Sequence, residues 1–163
     1  MSLKEAYLIE LERETENTRK MIGRIEDRHL DFRPHEQSYT MRQLAGHIVE
    51  LHSWVGNGIR KDELDFHQDY RPFYHATAQE LREAFEAHYA QNVAQVNAMS
   101  EADWMQTWTM KAGDHIIAKM PKAGAIRYII FNHLIHHRGQ LSVYLRLNNI
   151  PVPGMYGPSA DER

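Results

Sequence analysis

The 163-residue sequence contains no cysteine, which excludes disulfide bonds, thiolate metal ligands and a protein thiol nucleophile. It also has no excess of positive charge, because 19 Lys and Arg residues stand against 22 Asp and Glu residues and give a formal net charge of −3. No basic block of the kind that binds nucleic acid or an anionic membrane occurs. No run of about 18 apolar residues is present, and the charged N-terminal segment lacks an apolar signal core. We therefore expect a cytoplasmic protein that binds neither nucleic acid nor a membrane.

The length suits a single domain over residues 1–163, since no shift in composition marks a second one. Apolar residues recur at spacings of three and four in four stretches, which is typical of amphipathic helices. Two of these stretches are preceded by capping-box patterns, with Thr40 and Thr77 at the N-cap positions. The spacing predicts helices over residues 3–29, from residue 41, over residues 78–100 and from Pro121 to residue 149.

Residues 104–120 break this helical period. Residues 108–110 and 115–118 are predicted to form two short strands about a turn. Residues 62–75 form a polar connection that is longer than a tight bundle turn. The predicted fold class is therefore all-α: a four-helix bundle with one long crossover and a short β-hairpin before the last helix.

The last predicted helix carries three histidines in the sequence AIRYIIFNHLIHHRGQLSVYLRLNN. Of these, His133 and His137 are four residues apart on an otherwise apolar face, which we predict to be buried. A single transition-metal ion can bridge such a pair, and it satisfies two imidazoles that are costly to bury unpaired. Arg138 lies nearly opposite on the helical wheel and is predicted to face solvent or a partner.

A third imidazole, His47, lies inside the apolar face of the second helix. Three histidine ligands leave coordination positions open, as in reactive metal sites. Two alternatives remain: the histidines are neutral, hydrogen-bonded core residues, or His136 pairs with His133 at a spacing of three. His52 is predicted to lie on a solvated flank of its helix.

Gln140 is the best-placed residue of the last helix to contact a substrate or support a ligand, and Tyr144 lies one turn beyond it. A structural role would explain either residue equally well. Glu50 lies about 60° from His47 on the wheel, so its reach into the site depends on helix packing. An open three-histidine site is suited to activating either a water molecule or a small-molecule thiol.

Three stretches resemble the DinB/YfiT-like family of metal-dependent bundle proteins: RPHEQSYTMRQLAGHIVE, FNHLIHHRGQLSVYLR and PVPGMYGPSAD. The resemblance places the family's metal ligands on His47, His133 and His137. It implies an up-up-down-down bundle, a homodimer and a divalent ion such as zinc or nickel.

Some relatives that the sequence resembles are thiol S-transferases that use bacillithiol, mycothiol or glutathione, and another branch resembles a thiol-dependent maleylpyruvate isomerase. The resemblance thus implies a divalent-metal-binding transferase that activates a low-molecular-weight thiol and acts on a small-molecule substrate, with Gln140 and Tyr144 as candidate catalytic residues. Two alternatives are a metal-dependent hydrolase that uses an activated water and a metal-binding stress protein without turnover.

Overall fold

The structure, a computed structural model, describes residues 1–162 apart from the side chain of Asn57. Its helices and strands follow in chain order: α1 Leu3–Ile22, α2 Met41–Leu51, β1 Glu63–Asp65, α3 Phe66–Asp69, α4 Ala78–Asn97, β2 Thr107–Ala112, β3 His115–Pro121, α5 Lys122–Ala125 and α6 Asn132–Leu147. Two π-helical segments, Val55–Ile59 and Ile126–Phe131, follow α2 and precede α6. None of the helices in residues 1–162 combines the length and the low polarity that a membrane crossing requires.

Local sequence signals account for where the long helices begin. Ser2 and Thr40 each close a capping box with the residue three positions on, so that the first free N–H groups of α1 and α2 are satisfied. Thr77 caps α4 by accepting from the backbone N–H of Glu80, whereas the Glu80 carboxylate accepts from Ala76. The first helix is shorter than predicted, because α1 ends at Ile22 and the chain turns at Gly23.

The four long helices pack in a ring. Both α1 and α2 contact α4 and α6, and apolar side chains from all four fill the space between them. The largest fully buried side chains include Trp104, Trp108, Phe85 and Phe131. This packing places α2 directly beside α6.

The all-α fold class is wrong, because the structure contains a three-stranded mixed sheet in addition to the helices. The order of its strands is β1-β2-β3. β2 and β3 pair antiparallel about Gly113, whose φ of 60° favours glycine, and they are the two strands that the sequence predicted. β1 pairs parallel with β2 and lies in residues 62–75, for which the sequence predicted only a polar connection. A strand of three residues has too little alternation to be recognised, and its partner lies more than 40 residues later in the chain.

The sheet is attached to the helical part close to the end of α2. Buried Trp108 donates from Nε1 to the carbonyl of Gly58 at 3.2 Å, which fixes β2 against the π-helical segment after α2. Asp65 at the end of β1 accepts from the backbone N–H of Gly113 at 3.1 Å. These contacts hold β2 against the segment that follows α2 and join the end of β1 to the turn between β2 and β3.

Candidate metal centre

Three histidines from two helices meet between α2 and α6. His47 comes from α2, and His133 and His137 come from successive turns of α6. One ring nitrogen from each lies within 4.8 Å of the others, and all three side chains are partly buried. Within residues 1–162, no fourth His, Asp or Glu side chain completes this group. The structure groups His137 with His47 and His133, whereas His136 lies on the exposed side of α6.

The spacing of the nitrogens fits one metal ion. His47 Nε2 and His133 Nε2 are 3.2 Å apart. Two imidazole nitrogens bound at roughly 2.0–2.1 Å to one tetrahedral or octahedral ion are about 2.8–3.4 Å apart. The group could therefore hold a divalent ion through three nitrogens and leave further positions open.

Two of the three rings have a hydrogen-bond partner outside the group. His47 donates from Nδ1 to the Glu50 carboxylate at 2.5 Å, and His137 donates from Nδ1 to Gln140 Oε1 at 2.7 Å. In His47 and His137 the proton thus occupies Nδ1, and the lone pair of Nε2 is free to bind a metal.

Burial keeps two of these rings in the neutral form that binds metals. It lowers the pKa of His133 to about 4 by removing water from the charged form, and nearby His47 and His137 lower it further. Burial also lowers the pKa of His137 against the opposing effect of its Gln140 hydrogen bond. At neutral pH no proton has to leave His133 before it can bind an ion.

Glu50 is the supporting residue that the sequence left undecided. Its side chain is almost fully buried and accepts from His47 and from the hydroxyl of Tyr70, the latter at 3.0 Å. The spacing of three between His47 and Glu50 is the only signal of this pair in the sequence. Tyr70 lies in the long crossover, and nothing in the sequence placed its hydroxyl beside α2.

The two candidate catalytic residues line a cleft of about 390 Å³ next to His137, which we call the polar cleft. The remaining side chains of this cleft are Gln37, Ser38, Tyr39, Leu44, His137 and Val143. Gln140 is exposed there, with its Oε1 held by His137. The hydroxyl of Tyr144 donates to the carbonyl of Tyr39 at 2.9 Å. Its proton is therefore already used in a hydrogen bond within the protein.

Other histidines of the helices lie outside the group. His52 was predicted to be solvated, but it is only 2% exposed and packs edge-on against Phe85 with ring centroids 4.9 Å apart. The prediction failed because α4 covers the flank of α2 on which His52 lies. His88 on α4 donates from Nδ1 to the carbonyl of Val49 at 3.2 Å. This hydrogen bond joins α4 to α2.

Arg138 was also misplaced by the helical wheel, because it is buried at 3% exposure. Its guanidinium forms a 2.6 Å ion pair with Glu14 of α1 and donates to the hydroxyl of Tyr156 at 2.6 Å. The buried face of α6 runs through Leu134, Arg138 and Leu141. His133 and His137 therefore flank the core, which leaves them accessible from the clefts beside them.

Comparison with known proteins places the chain among proteins of one family. A sequence model of the DinB family matches residues 1–163. The chain is 28% identical over 157 residues to the uncharacterized protein YrdA of Bacillus subtilis (strain 168), across 96% of this chain and 89% of YrdA. A solved DinB-like protein from Bacillus cereus ATCC 10987 is 25% identical with a TM-score of 0.74, across 93% of this chain and 97% of that one. The solved DinB-like protein YjoA from Bacillus subtilis shares the fold, with 18% identity, a TM-score of 0.71 and coverage of 91% and 96%.

Proposed function

Since the chain belongs to the DinB family, we propose that it binds one divalent transition-metal ion, such as zinc or nickel, through His47, His133 and His137 and transfers a low-molecular-weight thiol to a small electrophile. The observation that carries the metal proposal is the convergence of three ring nitrogens within 4.8 Å. The outward hydrogen bonds of His47 and His137 support it, because they leave both Nε2 lone pairs pointing inward.

An open three-histidine site is suited to activating either water or a thiol, and the absence of cysteine and the family resemblance support the thiol. An ion bound by three imidazoles with open positions would favour thiolate over thiol at neutral pH. The chain has no cysteine that would compete for the ion or be consumed by an electrophile. The resemblance to thiol-dependent branches of the family points in the same direction.

In the proposed reaction the polar cleft holds the thiol. The amide group of Gln140 and the polar groups around it offer hydrogen bonds to a hydrophilic thiol. Tyr144 shapes the wall through its bond to Tyr39. The thiol proton passes to solvent, the sulfur forms a bond to an electrophilic carbon, and the leaving group departs with the electron pair of the bond that breaks. The homodimer implied by the resemblance stays a prediction.

The metal proposal is tested by elemental analysis of protein that has been stripped with a chelator and reloaded with zinc or nickel. We expect about one ion per chain, complete loss of binding in His137→Ala and retention in the neighbouring control His136→Ala. Equal loss in both variants would contradict the assignment of His137. A wild-type protein that binds no ion after incubation with zinc or nickel would contradict the metal proposal itself.

The thiol proposal is tested on the reloaded protein by calorimetry with bacillithiol, glutathione and mycothiol, alongside conjugation of a generic electrophile and hydrolysis of simple esters. We expect saturable binding of at least one thiol and conjugation that requires the metal. Metal-dependent ester hydrolysis without thiol binding would identify a hydrolase instead. A firmly bound ion with no activity in any assay would identify a non-catalytic metal-binding protein.

A further inference from the structure

A second cleft borders the histidine group at His133, whereas the polar cleft borders it at His137. The second cleft has a volume of about 360 Å³, and we call it the aromatic cleft. Its apolar walls come from four separate parts of the fold: Trp54 after α2, Phe66 of α3, Met110 of β2, and Tyr128 and Ile129 of the π-helical segment before α6. A volume of this size is in the range of small-molecule sites.

The aromatic side chains of this cleft are arranged around the histidine group. The ring of Trp54 lies 6.1 Å from that of His133 and 6.2 Å from that of His47, in both cases edge to face. Phe66 continues the wall with its ring 5.9 Å from Trp54. Tyr128 stands at the mouth with 64% of its surface exposed. A planar ligand in this cleft would contact several rings and would lie directly beside His133.

The composition of the aromatic cleft narrows the class of ligand. Among residues 1–162, no Asp, Glu, Lys or Arg side chain lines the aromatic cleft, and its polar side chains are those of Asn132, His133 and His136. An anionic ligand would lose hydration there without gaining a salt bridge, whereas a neutral ring gains contact with aromatic faces. Gln37, Ser38 and Gln140 make the polar cleft better suited to a hydrophilic molecule.

We propose that the aromatic cleft binds the second reactant and that this reactant is a neutral aromatic electrophile. The assignment of a reactant rests on the proposed transferase function, whereas the binding of a neutral ring rests on the cleft alone. The hydrophilic thiol would then lie beside His137 and the apolar electrophile beside His133.

The test uses 1,3-dinitrobenzene, a neutral ring that has no leaving group, and 3,5-dinitrobenzoate, the same ring with a negative charge. Each compound is titrated into chelator-treated protein, so that the carboxylate has no metal to bind. The N–H signals of the backbone and of the side chains are followed by NMR. We expect 1,3-dinitrobenzene to shift the Trp54 indole and Asn132 side-chain signals, and to bind at least about fivefold more tightly than the benzoate. Shifts centred on Gln37 and Gln140, no saturable shift, or equal affinity for the two rings would overturn the proposal.

Two exposed tyrosines provide a matched pair of variants. Tyr128 lines the aromatic cleft and Tyr39, which is 55% exposed, lines the polar cleft. We expect Tyr128→Ala to weaken binding of 1,3-dinitrobenzene roughly five- to tenfold, with Tyr128→Phe and Tyr39→Ala close to wild type. An equal loss in Tyr128→Ala and Tyr39→Ala would overturn the assignment to this cleft. Ring binding without thiol transfer would contradict the proposed function and the assignment of a reactant, and would leave the binding of a neutral ring in place. Thiol transfer without ring binding would contradict only this inference.

Discussion

At the residue scale, Glu50 determines how His47 is presented to an ion. Its buried carboxylate accepts the Nδ1 proton of His47, with Nδ1 and Oε1 2.5 Å apart, and also accepts from the hydroxyl of Tyr70. This arrangement fixes both the tautomer and the orientation of the ring before an ion arrives. Groups that hold a ligand histidine in this way contribute to metal affinity without touching the metal.

Replacing Glu50 with Gln should therefore weaken zinc binding by roughly 10–100-fold, because a neutral amide holds the Nδ1 proton less strongly and makes the ring a weaker ligand. Competition against a chromogenic chelator measures the change. Glu12→Gln, on the exposed surface of α1, serves as the control of identical chemistry. Equal zinc affinity in the two variants would show that Glu50 plays no part in holding the ion.

A second residue-scale feature is the buried neutral imidazole of His52. Neither ring nitrogen has a hydrogen-bond partner among residues 1–162. Burial lowers its pKa to about 3, with a smaller lowering from His88 and Arg19 and an opposing effect of Glu86. In the unfolded chain the pKa returns to about 6.5. The unfolded state therefore binds an extra proton between these values, and stability falls as the pH drops below about 6.5.

The slope of this loss is about 1.4 kcal/mol per pH unit, so His52 should cost about 2 kcal/mol of stability at pH 5.0 relative to pH 7.5. Urea unfolding of wild type and His52→Phe at both pH values, with a chelator throughout, measures the difference. We expect the variant to become more stable relative to wild type by that amount at the lower pH. Parallel pH profiles would indicate that His52 titrates normally in the folded protein.

At the scale of elements, two ion pairs join α1 to its neighbours in contrasting surroundings. Glu14 pairs with Arg138 of α6 at 2.6 Å, and both side chains are buried. Arg19 pairs with Glu86 of α4, also at 2.6 Å, but the two side chains are 45% and 50% exposed. The two ion pairs therefore have the same contact distance, but the first is shielded from solvent and the second is exposed to it.

Glu14→Ala should lower the free energy of unfolding by about 3–5 kcal/mol, because it leaves the Arg138 guanidinium buried without its counter-charge. Glu86→Ala should cost at most about 1 kcal/mol, since solvent screens the exposed pair. Chemical denaturation of the two variants provides the comparison. A similar small loss in both would mean that water reaches Arg138 when Glu14 is removed.

At the scale of the whole molecule, the histidine group links α2 to α6 across the bundle. An ion that binds only the folded chain stabilises it by about 4 kcal/mol at a free concentration of 1,000 times its dissociation constant. For a chain of this length, that corresponds to a rise in Tm of roughly 8–16 °C.

Thermal unfolding in zinc and in excess chelator should reveal this shift. His47→Ala should abolish the shift while His136→Ala preserves it, because only the first variant removes a ligand. A zinc-dependent rise that survives in His47→Ala would place the ion elsewhere in the chain.

The sequence by itself determined those features that depend on near neighbours. Capping residues such as Thr40 mark where helices begin, and the period of apolar residues marks where they continue, because both act within one or two turns. The spacing of four between His133 and His137 likewise puts them on one side of α6 in any helical fold. His47 was assigned to the same group from its place on the helical wheel and from the family resemblance.

Only the tertiary structure decided what distant segments do to one another. The strand Glu63–Asp65 exists through pairing with β2, His52 is buried because α4 covers it, and Arg138 can be buried because Glu14 of α1 neutralises it. Tyr70 reaches Glu50, and Trp54 and Phe66 form one wall, through the path of the long crossover. These contacts depend on how elements far apart in the chain are oriented, and the periodicity of a single element carries no information about its partners.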